Sequence, residues 1–178
     1  MKHIAGSLFL GALLTIGGCS DRNKAPDVSD NIHRSLDHAG FKDVSVNQDR
    51  DRGVVTLKGT VPSDAEKMRA ESIAKGQAAG EVVANEIAVV PPGNESAAKT
   101  VNSDIDKAID KNLDAALVEN RLNKTVKYSV KNGVVTLNGH VDSQAARSEA
   151  AHIAASVPNV AQVVNEVEVR HTRATSSR

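Results

Sequence analysis

Between Gly53 and Val61 apolar and polar positions alternate as GVVTLKGTV, and the alternation returns as GVVTLNGHV from Gly133 to Val141. A period of two marks a strand with one buried face. In the second stretch it sets Val135, Leu137, Gly139 and Val141 on one row and Val134, Thr136, Asn138 and His140 on the other. Upstream, Val126, Tyr128 and Val130 alternate in the same way. Lys131-Asn132-Gly133 joins the two runs, and an Asn-Gly pair favours a two-residue hairpin. Downstream the period changes to that of a helix, with Ala146, Ala150, Ile153, Ala154 and Val157 on one stripe. Val163, Asn165, Val167 and Val169 then alternate as a last strand. Ahead of the hairpin, Ile105, Ala108, Ile109, Leu113 and Ala116 recur at helical spacing, with Ser103 or Asp104 placed to cap that helix.

The whole pattern occurs twice. Residues 53–90 align without a gap on residues 133–170. Upstream of Gly53 the offset changes, so that Val44 and Val46 fall on Val126 and Tyr128, and the first copy has two extra residues in the turn Asp49-Arg50-Asp51-Arg52. Further upstream, Ile32 and Leu36 fall on Ile105 and Ile109, which makes the second copy nine residues longer between its first helix and first strand. In the first copy the helix ends at Ala39, with Gly40 suited to the left-handed position beyond it. Ser63 and Glu66 form a capping box at its second helix.

Each copy therefore reads as helix, strand, strand, helix, strand. The hairpin makes the first two strands antiparallel, and the helix between strands two and three allows a parallel, right-handed crossover. The predicted fold class is α+β: two tandem αββαβ domains, each a three-stranded mixed sheet with two helices on one face. Gly59 and Gly139 lie on the inward rows, where a missing side chain gives room for a helix or marks a bulge.

Three features together resemble the BON domain, named for bacterial osmotically induced and nodulation proteins. They are the strand G-V-V-T-L-x-G-x-V, the Ile-Ala pair on the following helix (Ile73-Ala74 and Ile153-Ala154), and V-x-x-V-V-N-x-V-x-V from Val160 to Val169. The resemblance places a first BON domain at 28–90, a linker at 91–101 and a second at 102–170, with a disordered basic tail at 171–178. The first copy departs from the pattern. Gly80 stands where Val160 does and Gly76-Gln77 replaces Ser156-Val157, so a looser second helix and a less stable first domain are expected.

The chain opens MKHIAGSLFLGALLTIGGCS. A basic residue, a short apolar run and Ile16-Gly17-Gly18-Cys19 resemble a bacterial lipoprotein signal. The resemblance implies removal of residues 1–18, acylation of Cys19 and a tether through residue 27. Ser20 in place of an aspartate implies the periplasmic face of the outer membrane.

Composition narrows the chemistry. There is no Trp, one Tyr and two Phe, so the cores must be Val, Ile, Leu and Ala. Basic and acidic residues balance at 22 each, which gives no footprint for nucleic acid. The single cysteine excludes an internal disulfide and a Cys-rich zinc site. There is no phosphate loop, no nucleophile with a base at motif spacing and no metal pattern, so no catalysis, cofactor or metal is expected. Asn85 and Asn165 sit on the inward rows, where a buried amide serves loop backbone. Asp106, Asp110 and Asp114 alternate with Lys107 and Lys111 as a solvated, charge-laced helix face. The BON resemblance implies anionic phospholipid as ligand, and the candidate contacts are Lys107, Lys111, Arg121, Lys124 and Lys127. The competing reading is a protein-interaction or chaperone-like module for outer-membrane proteins. A domain of about 65 residues is marginal alone, so docking of one copy on the other would help.

Overall fold

A computed structural model describes residues 24–170. The leader at 1–18, Cys19 and the tail at 171–178 lie outside the described residues. The first domain runs α1 (Ser29–His38), β1 (Val44–Asp49), β2 (Val54–Val61), α2 (Asp64–Gln77) and β3 (Val82–Val89). The second runs α3 (Glu95–Glu119), β4 (Val126–Lys131), β5 (Val134–Val141), α4 (Gln144–Ala155), β6 (Gln162–Asn165) and β7 (Glu168–Val169). In each domain the hairpin is antiparallel and the third strand lies parallel to the second, giving the orders β1-β2-β3 and β4-β5-β6. β6 and β7 are two halves of one strand and both pair with β5. The expected αββαβ plan is thus present twice.

Each domain has its own aliphatic core. Ile32 and Leu36 of α1 meet Val44, Val55, Leu57, Ala70, Ala74 and Ile87 in the first. Ile109, Leu113 and Leu117 of α3 meet Val126, Val135, Leu137, Ala150, Ala154 and Val167 in the second. The alanines of α2 and α4 let those helices approach the sheet closely. Ser63 and Ser143 cap them by accepting from Glu66 N and Ala146 N. Asn132 and Gly133 both take positive φ, as the hairpin signal requires.

Four expectations change. First, α3 starts at Glu95 after Asn94, not at Ser103 or Asp104, so most of the linker at 91–101 is helix. Second, the first helices align differently. Phe41 N donates to Leu36 O and Leu122 N donates to Leu117 O, closing the same helix end in both copies. Ile32 and Leu36 therefore correspond to Leu113 and Leu117, not to Ile105 and Ile109, and the second copy is longer at the start of its helix, with a single extra residue after it. The two alignments differ by eight residues, close to two helical turns of about seven, so the stripe slides by that amount and still nearly matches itself. Third, α2 is not loosened at its end. It continues through Gly76 to Gln77, whose side chain hydrogen-bonds Ser35 on α1, whereas α4 stops at Ala155. Fourth, Asp106 is not part of a solvated face: its carboxylate accepts from Asn132 N and Gly133 N, both at 2.9 Å, and clamps the β4–β5 turn to α3.

The inward glycines make room for backbone rather than for a helix. A Cβ on Gly59 would stand 2.0 Å from Asp43 O, and one on Gly139 would stand 2.2 Å from Thr125 O. Both residues also take positive φ, at 133° and 114°. The start of each domain's first strand thus crosses directly over the glycine.

The outer rows of the two sheets meet. Val54 (5% exposed), Ala84 (1%), Val134 (2%) and Val164 (1%) form a third apolar cluster between the domains. These are two pairs of equivalent residues, one pair from each repeat. Arg52 Nε lies 3.5 Å from Glu166 Oε2, and the equivalent position, Asn132, donates from Nδ2 to Glu86 O at 2.7 Å. Equivalent residues thus make reciprocal contacts, the arrangement of a two-fold, isologous interface within one chain. One element breaks the symmetry. The Gln162 side chain accepts from Asn85 N at 3.1 Å and donates to Val83 O at 2.7 Å, taking the place of a neighbouring strand on the free edge of β3. The counterpart of Gln162 is Val82, which has no such groups.

Candidate functional site

Docking leaves an open cleft of ≈ 940 Å³ between the outer face of the first sheet and the α3 and β4 elements of the second domain. β2 contributes Lys58, α3 contributes Lys99, Lys107 and Lys111, and β4 contributes Lys131. Glu86, Asp106 and Asp110 also line it. The alternation of β4 aims Ser129 and Lys131 outward, while Tyr128 and Val130 pack inward. The early start of α3 carries Lys99 and Asn102 past the last strand of the first domain, where Asn102 Nδ2 donates to Val89 O.

The charges are not all available. Lys58 Nζ is 3.7 Å from Glu86, and Lys107 Nζ is 3.0 Å from Asp104. Asp106 is occupied by the turn amides. Lys99, Lys111 and Lys131 are exposed and have no carboxylate within ion-pair distance among the described residues. α3 itself is more acidic than basic, with three lysines against Glu95, Asp104, Asp106, Asp110, Asp114 and Glu119. The basic character of the cleft therefore comes from adding Lys58 and Lys131 on neighbouring strands.

Of the sequence-derived candidates, Lys107 and Lys111 line the cleft. Arg121, Lys124 and Lys127 are exposed but do not line it. Arg121 lies ten positions beyond Lys111, about 15 Å further along the helix direction. Cys19 lies outside the described residues. Lys58, Lys99 and Lys131 were not singled out by sequence, although the outward alternation of Lys58 and Lys131 was readable in their strands.

The inward asparagines hold helix to sheet. Asn85 Nδ2 donates to Lys67 O and to Glu71 Oε2, and Asn85 Oδ1 accepts from Ile87 N. Asn165 Nδ2 donates to Arg147 O at 2.9 Å, and its Oδ1 accepts from Val167 N at 3.1 Å. Both amides serve backbone, and Asn85 also holds the Glu71 carboxylate. Beneath the cleft, a crevice of ≈ 260 Å³ takes in Lys67, whose ammonium burial holds below the usual lysine range. Burial, with the Asp110 and Asp114 charges, pushes the Tyr128 phenol up to about 12. Among the described residues no group of three or more His, Cys, Asp or Glu side chains stands ready to hold a metal, and no helix is long and apolar enough to cross a membrane.

The duplicated αββαβ domain, with an inward glycine and asparagine in both copies, defines the class, and comparison with known proteins agrees. This chain belongs to the BON domain family, whose model matches residues 25–91 and 104–171. Osmotically-inducible protein Y of Escherichia coli (strain K12) is 31% identical over 137 residues, covering 76% of this chain and 67% of that protein. A protein of Anaplasma centrale described as an uncharacterized protein in the gshII 5' region is 34% identical over 138 residues, covering 76% of this chain and 87% of its own length. Two solved structures of CdsD, a structural protein of the type III secretion system of Chlamydia trachomatis, match at TM-scores of 0.32 and 0.30 with 15% and 16% identity. They cover 81% and 80% of this chain and 66% and 62% of theirs.

Proposed function

We propose that this protein is a non-catalytic, lipid-anchored component of the bacterial envelope, held through acylated Cys19 at the periplasmic face of the outer membrane. Its BON domains bind anionic phospholipid and support membrane integrity under osmotic stress, in keeping with its similarity to an osmotically inducible protein. The observation that carries the lipid reading is the convergence of five lysines on one interdomain cleft, three of them without an ion-pair partner among the described residues. A basic residue close to an anionic leaflet contributes about 1 kcal/mol. Three free lysines then give about a hundredfold preference for anionic over neutral vesicles at low salt. Co-sedimentation of the chain from Ser20 to Arg178 with phosphatidylcholine vesicles, with and without phosphatidylglycerol, tests this. Equal binding to both at low salt contradicts it. Mass analysis of the protein from native membranes tests the anchor, and an unmodified Cys19 contradicts that part.

A protein-interaction or chaperone-like role has one structural support: Met68, Val82, Val101 and Val118 are exposed apolar side chains. They stand on separate elements, and scattered exposed hydrophobics are ordinary on a soluble surface. Suppression of client aggregation at equal potency without lipid would favour that role.

A further inference from the structure

We infer that the lipid site is composite, assembled only when the two domains dock, and that it exists on one flank of the docked pair. This rests on the lipid reading above. One wall of the cleft belongs to the first domain, with Lys58, and the other to the second, with Lys107, Lys111 and Lys131. A single domain has only one wall.

The two-fold relation between the repeats generates a second flank, and its chemistry is opposite. The position equivalent to Lys58 is Asn138, and that equivalent to Lys131 is Asp49. The counterpart of Ala88 is Glu168. With the helix ends aligned as observed, Lys111 corresponds to Asp30, and Lys107 corresponds to Pro26, ahead of α1. Where the first flank carries lysines, the second carries Asp30, Asp49, Glu166 and Glu168. Arg52 pairs with Asp49 and Glu166, and His140 Nε2 lies 3.2 Å from Glu168 Oε2. An isologous joint thus carries two unlike faces: a basic one that accepts anionic headgroups and an acidic one that a negative leaflet repels. The protein therefore meets the membrane in one orientation.

The apolar part of the joint and Gln162, unlike the Asn132–Glu86 contact, lie outside the cleft. Neither Val134 nor Gln162 lines it, and Val134 belongs to the interdomain cluster rather than to the core of its own domain. Opening the joint therefore removes the site without removing a lysine. The test uses the chain from Ser20 to Arg178, since every described element falls within 24–170, and phosphatidylcholine vesicles with and without phosphatidylglycerol at low salt. Lys58→Glu in the first domain and Lys131→Glu in the second each weaken binding to the anionic vesicles at least tenfold. Lys42→Glu, the same charge change outside the cleft, stays within twofold of the parent chain. The double variant Val134→Asp, Gln162→Ala also weakens binding at least tenfold, with an enlarged radius of gyration by small-angle scattering and unchanged circular dichroism. If Val134→Asp unfolds the chain, Lys58→Glu and Gln162→Ala alone decide. Parent binding that survives both Lys58→Glu and the opened joint overturns the composite site and leaves the lipid reading standing. A parent chain with no preference for phosphatidylglycerol overturns the lipid reading and the composite site with it.

Discussion

Replacing Gly59 by alanine tests the crossing of backbone over the inward glycine. The new Cβ would stand 2.0 Å from Asp43 O, 3.0 Å from Asp43 C and 3.1 Å from Val44 Cα. Carbon and oxygen rest comfortably above about 3.4 Å, so the carbonyl must move by more than 1 Å (about 1.4 Å on that footing). All three of the nearest atoms are backbone, so no flexible side chain can give way. The shift takes Val44, which is 2% exposed and part of the core, away from Leu57 and Ile87. The φ of 133° adds about 1–3 kcal/mol of conformational strain. Loss of one hydrogen bond at the start of the β1–β2 ladder adds about 1 kcal/mol. Forcing Val44 out of its core position adds about 1 kcal/mol more, for a total of about 3–5 kcal/mol. A domain of this size has about 3–9 kcal/mol of stability in all, so the first domain should melt about 20 °C lower. Gly80→Ala is the matched control, since its φ is 90° but nothing lies within 4 Å of the added carbon. It should cost about 1–2 kcal/mol from strain alone. Urea unfolding of the two variants beside the parent chain gives the comparison. A Gly59→Ala cost within 1 kcal/mol of the Gly80→Ala cost would refute the backbone crossing.

Asn85→Ala strands Lys67 O and Ile87 N in a buried setting and should cost about 2–3 kcal/mol by urea unfolding; a cost below about 0.5 kcal/mol would contradict the amide's structural role. Tyr128 is the one tyrosine, so the tyrosinate absorbance reports it alone, and its midpoint should fall near 12 rather than at 10.0. Because the folded value lies above the unfolded one, the stability Tyr128 contributes is complete below 10.0 and is lost as pH rises towards about 12; a midpoint at the ordinary value would contradict its burial against α3. Arg121 takes a φ of 59° at the end of α3, where the first domain has Gly40. Arg121→Gly should therefore raise stability by about 1 kcal/mol, and vesicle binding should stay within twofold because Arg121 does not line the cleft; a large loss of binding would move the lipid site to the far end of α3.

The elements were legible because local signals agreed in them. Asn132-Gly133 announced its hairpin, Ser63 and Ser143 their helix starts, and the Val and Ile alternation its strands. The inward asparagines and glycines were visible as polar or missing side chains on apolar rows, and the structure supplies what each one serves. The first helix of the second copy was misaligned for a physical reason. Its stripe repeats within itself, and the residue that fixes the end is Arg121, which adopts a conformation usually left to glycine and so carries no sequence signature. The early start of α3 was hidden because residues 95–102 have no apolar stripe committed to a core. The joint was hidden more deeply. Val54, Ala84, Val134 and Val164 sit on rows that read as solvent-facing, and nothing local says that a second copy of the same row covers them. Gln162 reads as an ordinary exposed residue until the free edge of β3 stands beside it. The cleft inherits that invisibility, since Lys58 joins the other lysines only through docking.

Amide hydrogen exchange at Asn85 tests the docking most directly. Its N–H points away from β2, and its partner is the Gln162 side chain, 77 positions away in the other domain. In the parent chain the Asn85 amide should be strongly protected, and Gln162→Ala should speed its exchange at least tenfold while the amides of the β1–β2 hairpin are unaffected. Equal exchange at Asn85 in the two proteins would mean that the domains do not meet through β3 and β6, and that no shared cleft exists.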